Sequence, residues 1–190
     1  IEKFVELYGD KEIEIYSTPG RSEVSGNHTD HQHGEVLAAA INLDIIAVVA
    51  KKEEDIKVLS DGYDLKAVKV DELDPREEEK ETSEGLIRGV LARYKELGFN
   101  IGGFEAFMTS DVLQGSGLSS SAAFEVMIGT VLSGLYNDMS IDPVTIAQVG
   151  QYAENVFFGK PCGLMDQMAC SVGNLVHIDF ADKKNPVIEG

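Results

Sequence analysis

The sequence DVLQGSGLSSSAA, residues 111–123, joins a strand-like segment to a helix-like one and decides how the chain is interpreted. Its glycines, Gly115 and Gly117, let the backbone approach a ligand closely. Residues 119–121 are three serines that lead into the helix, whose first turn has unpaired N–H groups and the positive end of the helix dipole. The segment therefore predicts a phosphate-binding loop. A Gly-Ser turn that only caps a helix would be favoured for a shorter run. The segment is neither a Walker A loop nor a dinucleotide fingerprint, since the lysine and the third glycine are missing.

A second polar segment, TPGRSEVSGNHTDHQHG, occupies residues 18–34. It is dense in hydrogen-bond donors and acceptors, as a hydroxyl-rich ligand requires. Its three histidines and one aspartate within residues 28–33 leave a metal site open, although their spacing matches no common zinc site. The remaining alternative is an exposed polar loop, which the Pro19-Gly20-Arg21 start and the apolar strand after residue 34 make less favourable.

The third segment, GKPCGLMDQ at residues 159–167, predicts a tight loop that presents Asp166 at the start of a helix. Glu154 lies twelve residues before Asp166 on a preceding predicted helix. Taken alone, Asp166 is more simply a helix N-cap than a base. Its occurrence together with the other two segments favours a functional role.

The rest of the chain predicts an α+β fold, with strands early and helices later. Residues 71–84 are charge-rich and mostly acidic, which predicts a solvated loop. A polar loop is expected over residues 21–34. Strands are expected over residues 12–16, 36–50, 56–60, 65–70, 99–109 and 175–180, and helices over residues 82–97, 121–136 and 143–158.

The composition excludes several classes of protein. A chain of 190 residues suits one domain, or one large domain with an incomplete neighbour. Its net charge of −17 opposes binding to nucleic acid. Two cysteines cannot form the disulfide framework of a secreted protein, and no signal or membrane-spanning segment is found, so a cytoplasmic setting is expected. Because the chain starts at Ile1, we expect a piece of a longer protein.

Taken together, the three segments resemble the galactokinase branch of the GHMP kinase superfamily. Their order and spacing agree with that branch over essentially the whole chain. The resemblance implies a GHMP kinase N-terminal domain over residues 1–190, of the ribosomal protein S5 domain 2-like class. Its expected features are a mixed sheet, helices packed on it and a left-handed βαβ crossover, which connection rules alone would call rare. It also implies that the C-terminal GHMP domain, with a further glycine-rich motif, is absent from this chain.

The resemblance implies transfer of the γ-phosphoryl group of MgATP to the anomeric hydroxyl of galactose. Asp166 would be the general base, with Arg21 beside it to keep the carboxylate ionised. Ser121 and Glu154 would hold Mg²⁺. Sugar hydroxyls would be bound by Asn27, His28, Asp30 and Gly163, and the ATP phosphates by Gly115, Ser116, Gly117, Leu118, Ser119, Ser120 and Ser121.

One position departs from the family pattern. Asn27 stands where the family usually has a glutamate associated with the 6-hydroxyl of the hexose. Asparagine can still hydrogen-bond a hydroxyl, and its lack of charge should tolerate a carboxylate at C6, as in galacturonate. Galactose is the expected substrate, with a C6-variant sugar as the alternative.

Three other functions stay open. A non-catalytic sugar and ATP sensor is disfavoured because Arg21, Ser121, Glu154 and Asp166 are all present. Another GHMP kinase, of the mevalonate or homoserine class, is disfavoured by the sugar-type sequence at residues 26–30. A metal-dependent hydrolase built on the histidines is the least favoured. The isolated chain is expected to have little kinase activity.

Overall fold

The longest apolar run of the sequence forms β2 (Glu35–Lys52), an 18-residue strand at the centre of a mixed sheet. The computed structural model describes residues 14–25, 35–60, 63–110, 120–161, 164–172, 175–179 and 187–189. β1 (Glu14–Ser25) runs antiparallel to β2. The C-terminal half of β2 pairs with β6 (Gly103–Ser110) and its N-terminal end with β7 (Leu175–Asp179), both antiparallel. The strand therefore connects both ends of the sheet.

The remaining strands extend the sheet outward from these. They are β3 (Asp55–Ser60), β4 (Tyr63–Asp64), β5 (Val68–Lys69) and β8 (Val187–Glu189). β3 pairs in parallel with β6, and between them the chain passes through helix α1 (Ser83–Glu96). This is a βαβ unit within a largely antiparallel sheet. The predicted α+β class and mixed sheet are confirmed, and the left hand of the crossover stays a prediction.

Three further helices pack with α1 on one face of the sheet: α2 (Ser120–Tyr136), α3 (Pro143–Tyr152) and α4 (Met165–Val172). In β2, Ile45, Ala47 and Val49 join the core under these helices, whereas Val48 and Ala50 cluster with Phe107. This alternation is the two-residue period of a strand. No helix in the described part of the chain is long and apolar enough to cross a membrane.

Most predicted elements are confirmed, because local signals define their ends. Helix α1 begins after Thr82, whose side chain accepts a hydrogen bond from Gly85 N at 3.2 Å, and it is followed by Gly98 with φ +83°. The prediction of a loop from residue 21 was wrong in part, since β1 continues to residue 25 with β2 as its partner. The strand predicted over residues 65–70 is reduced to the two residues of β5.

The prediction that the acidic segment is a solvated loop was also wrong in part. Residues 77–79 form a 3₁₀ turn, and Glu79 receives two hydrogen bonds from Arg88 on α1, at 2.6 and 2.8 Å. Arg88 is buried. A charge that leaves water needs a partner of opposite charge, so the position of Arg88 fixes this part of the segment against the helix.

Removal of the α3 cap should destabilise the protein in a pH-dependent way. The Asp142 side chain accepts from Thr145 N at 3.0 Å and from Thr145 Oγ1 at 2.6 Å. The Thr145 side-chain hydrogen bond holds the pKa of Asp142 below its ordinary 3.8. A depressed folded pKa adds stability that is present above the unfolded pKa and is lost as the pH falls through the folded one. We expect Asp142→Ala to cost about 1 kcal/mol at pH 7 in urea unfolding, and less at pH 3.

The exposed Asp74 provides the matched control. We expect Asp74→Ala to change the unfolding free energy by less than about 0.5 kcal/mol at either pH. An equal loss for Asp142→Ala at pH 7 and pH 3 would contradict the role of the ionised cap.

Candidate active site

The two predicted Mg²⁺ ligands lie in contact. Ser121 is in the first turn of α2, and its Oγ donates to Glu154 Oε1 at 3.3 Å. Glu154 is buried, and Ser121 is half-buried. A serine hydroxyl at the start of a helix and a carboxylate from a different helix therefore meet at one point.

Glu154 lies at the start of an irregularity in its helix. The prediction of one α-helix over residues 143–158 was wrong at its end, because α3 passes into a π-helical turn, Ala153–Phe158. Gly159 follows with φ +81°, and Lys160 N donates to Glu154 O at 3.1 Å. Single π turns inside helices occur frequently at functional sites. Nearby, Gly89 of α1 allows close packing, since a Cβ there would lie 2.7 Å from Ala153 Cβ.

Gln167 and Glu125 also belong to the site, although no role was predicted for them from the sequence. Gln167 Nε2 donates to Glu154 Oε2 at 2.8 Å and to Glu125 Oε2 at 3.1 Å. Gln167 and Glu125 are each 1% exposed. A signal was available, because Glu125 lies four residues after Ser121 and hence on the same face of α2, and Gln167 directly follows Asp166.

Burial has the largest effect on the pKa of Glu125. Loss of hydration, and next the negative charge of Glu154, raise the pKa of Glu125 well above its ordinary 4.5. The hydrogen bond from Gln167 acts in the opposite direction, and the charge of Asp166 is a smaller cause of the rise. The protonated form of Glu125 is therefore favoured beside the other two carboxylates.

Asp166 lies half-buried in the first turn of α4, next to Gln167. The start of a helix stabilises a carboxylate through the backbone dipoles. The backbone of Arg21 lies in β1 opposite Ala40, and β1 packs against both α2 and α4. Thr18 of β1 is buried, with Oγ1 3.9 Å from Met127 Sδ on α2. The strand that carries Arg21 is thus held against the helices that carry Ser121 and Asp166.

The other predicted site residues lie outside the described residues, and their roles stay predictions. They are Asn27, His28, Asp30 and Gly163 for the sugar, and Gly115, Ser116, Gly117, Leu118 and Ser119 for the phosphates. The backbone of Ser120 forms the first residue of α2.

The oxygen atoms of Ser121 and Glu154 that lie in contact are suitable ligands for Mg²⁺. Mg²⁺ prefers oxygen ligands and is usually bound by one or two carboxylates together with waters and phosphate oxygens. Ser121 Oγ and Glu154 Oε1 are two such oxygen ligands in contact with each other. Ser121 ends the predicted phosphate loop. Among the described residues, no group of three or more His, Cys, Asp or Glu side chains is arranged to hold a metal.

Comparison with family models and sequences identifies relatives of the chain. Residues 2–51 match the model for the galactokinase galactose-binding signature, and residues 85–174 match the GHMP kinases N-terminal domain. The chain is 38% identical to galactokinase of Pyrococcus furiosus over 170 residues, which are 87% of this chain and 46% of that protein. It is 31% identical to galactokinase of Clostridium tetani, over 90% of this chain and 44% of that protein. The chain thus spans about half the length of these relatives.

Solved structures support the same relationship. The Lactococcus lactis galactokinase complexed with galactose superposes with a TM-score of 0.88 at 28% identity, covering 98% of this chain and 50% of that one. The mevalonate kinase of Methanococcus jannaschii superposes with a TM-score of 0.74 at 18% identity, over 94% and 56% of the two chains. The second likeness concerns the fold alone.

Proposed function

We propose, since the chain belongs to the galactokinase family of the GHMP kinases, that it is the ATP-binding and catalytic-base half of a galactose kinase. The reaction transfers the γ-phosphoryl group of ATP to the C1 hydroxyl of galactose. The products are galactose 1-phosphate and ADP.

The observation that carries this proposal is the contact between Ser121 and Glu154, next to the helix turn that carries Asp166. Ser121 contacts Glu154, and Gln167, the neighbour of Asp166, bonds to Glu154 as well. A kinase site needs a base for the attacking hydroxyl close to oxygen ligands for the phosphate-bound cation. The positions of Ser121, Glu154 and Asp166 support such a site.

In the proposed reaction, Asp166 accepts the C1 hydroxyl proton as the oxygen attacks the γ-phosphorus and the bond to the ADP oxygen breaks. In this proposal the positive charge of Arg21 assists Asp166 by offsetting negative charge that develops in the transfer. Backbone N–H groups of residues 115–120 hold the phosphates. Ser121 and Glu154 hold Mg²⁺, which when bound neutralises negative charge on the phosphates.

The sugar is held by His28, Asp30 and Gly163, with Asn27 near C6. A second candidate substrate, galacturonate, is favoured by one observation, the uncharged Asn27 in place of the usual glutamate. A carboxylate at C6 would meet no repulsion from an amide. Galactose remains the first choice, because the signature around this position is that of galactokinases.

The proposal includes a further domain. The chain spans about half of its relatives, and we propose that a C-terminal GHMP domain completes the active site in a cytoplasmic enzyme. Residues 1–190 then form the N-terminal ATP- and sugar-binding domain. The chain by itself should turn over slowly.

The test is ADP release with galactose, galacturonate, N-acetylgalactosamine and glucose. It should be run on the 190-residue chain and on the chain extended by a C-terminal GHMP domain. We expect turnover by the extended protein with galactose first. If galacturonate is turned over faster than galactose, then galacturonate is the substrate. Binding of sugar and ATP without ADP release would indicate a sensor. Normal turnover by the isolated chain would contradict the need for the second domain.

A further inference from the structure

We propose that Gln167 is a positioning residue, whose side-chain amide fixes the carboxylate of Glu154 for cation binding and ties it to the helix turn of Asp166. This inference rests on the proposed function and deepens it. Gln167 itself is not expected to touch the substrate or the cation.

The geometry is that of a closed ring. Ser121 Oγ contacts Oε1 of Glu154, and Gln167 Nε2 contacts Oε2 of the same carboxylate. The same Nε2 donates to Glu125 Oε2 at 3.1 Å. Glu125 lies one helical turn after Ser121 on α2, so the ring returns to its starting helix. With Oε2 held, Glu154 directs Oε1 at the serine.

The amide is chemically suited to this place. It is a neutral donor with two N–H groups, so it can orient a carboxylate and leave its negative charge available to a cation. A lysine would neutralise that charge, and a further carboxylate would repel it. A buried polar group retained at 1% exposure must be hydrogen-bonded to persist.

The neighbouring helix leaves room for this network. A Cβ on Gly150 of α3 would lie 3.0 Å from Glu125 Oε2 and 3.2 Å from Gln167 Cγ. Both distances are tighter than normal contacts, so a side chain at this position would displace the two partners. The absence of a side chain at Gly150 is what lets Gln167 reach both carboxyl groups from α4.

Groups that orient metal ligands through hydrogen bonds typically change metal affinity by 10–100-fold when they are removed. We therefore expect Gln167→Met, which keeps the length of the side chain and loses the amide, to weaken Mn²⁺ binding about 10–100-fold. The measurement is electron paramagnetic resonance of Mn²⁺ titrated, with ADP present, into the purified protein extended by the C-terminal GHMP domain. Binding of ADP without metal should change less than about threefold, since the amide faces the cation ligand.

A change in folding alone must be separated from positioning. Tyr94→Phe is the matched control, because it removes a buried hydrogen bond of 2.9 Å to Gly129 O on α2, away from the cluster. It should lower the melting temperature and leave Mn²⁺ affinity unchanged. If Gln167→Met does not fold, Gln167→Asn serves the same test, because its amide is too short to reach both carboxyl groups.

The outcomes distinguish the inference from the proposed function. Weaker Mn²⁺ binding by either Gln167 variant, with normal binding by Tyr94→Phe, supports the inference. Equal Mn²⁺ affinity of the folded variants and the wild type overturns the inference and leaves the proposed function standing. An extended wild-type protein that binds no Mn²⁺ with ADP overturns both.

Discussion

Replacing Asp166 by asparagine is expected to lower kcat of the extended kinase about 10²–10⁴-fold, the usual contribution of a positioned general base. Asparagine has nearly the same shape and still accepts a hydrogen bond, but it cannot take up the proton of the C1 hydroxyl. Asp166 lies half-buried in the first turn of α4, beside the buried Gln167. The substitution should therefore preserve the fold and the cation ligands.

The measurement is steady-state ADP release with saturating galactose and MgATP, together with Mn²⁺ affinity in the presence of ADP. The loss should appear in kcat, with Mn²⁺–ADP affinity changed less than about threefold, because a base acts in the transition state and not in nucleotide binding. Asp142→Asn is the control with the same chemical change, since asparagine caps a helix as well as aspartate does. A kcat for Asp166→Asn within threefold of wild type would show that another group accepts the proton.

Much of the fold could be predicted from the sequence, because its signals are local. Three features can be predicted without knowing which distant residues they contact. They are the Thr82 cap of α1, the Asp142-Pro143 start of α3 and the apolar run of β2. The extension of β1 to residue 25 does need it, since a polar segment becomes a strand only when β2 offers backbone groups to pair with. No local feature of the sequence predicts the π turn after Tyr152. In the structure this turn packs against α1.

The candidate site shows the same division. Ser121 and Asp166 lie within short sequence motifs, and Glu154 was predicted from the family resemblance. Glu125 and Gln167 are marked in the sequence only by their spacing from Ser121 and Asp166, and their contact depends on the approach of α4 to α2 and α3 in three dimensions. On a helical wheel Glu125 is only an acid inside an apolar helix. The structure shows that its side chain is only 1% exposed and is hydrogen-bonded by Gln167.

Glu79→Ala is expected to destabilise the protein by about 3 kcal/mol, since removing one partner of a buried ion pair leaves the other charge uncompensated. Arg88 donates two hydrogen bonds to the Glu79 carboxylate and a third to the carbonyl oxygen of Glu72. The hydrogen bonds that Arg88 donates to the carboxylate lower the pKa of Glu79. The expected loss of unfolding free energy lies at the lower end of the range for buried ion pairs, because the Glu79 side chain is 16% exposed. For a chain of this length we expect a fall in melting temperature of about 6–12 °C.

Glu77→Ala is the matched control, because it makes the same change in charge two residues away. Glu77 pairs with Lys80, but its side chain is 84% exposed, so the effect should stay within about 0.5 kcal/mol. Arg88→Met combined with Glu79→Ala should recover about half of the loss, since no buried charge is then left without a partner. Equal melting temperatures for Glu79→Ala and Glu77→Ala would contradict the buried pair.

The same variant tests whether the acidic segment supports the site. The N–H of Glu81 donates to Phe158 O at 3.0 Å, at the end of the π turn that carries Glu154. Glu81 has φ +60°, an unfavourable conformation for a residue with a side chain. Loss of the Arg88 pair removes the anchor that holds this backbone in place. We therefore expect Glu79→Ala to weaken Mn²⁺–ADP binding as well, by a smaller factor than Gln167→Met, because its path to Glu154 runs through a backbone contact.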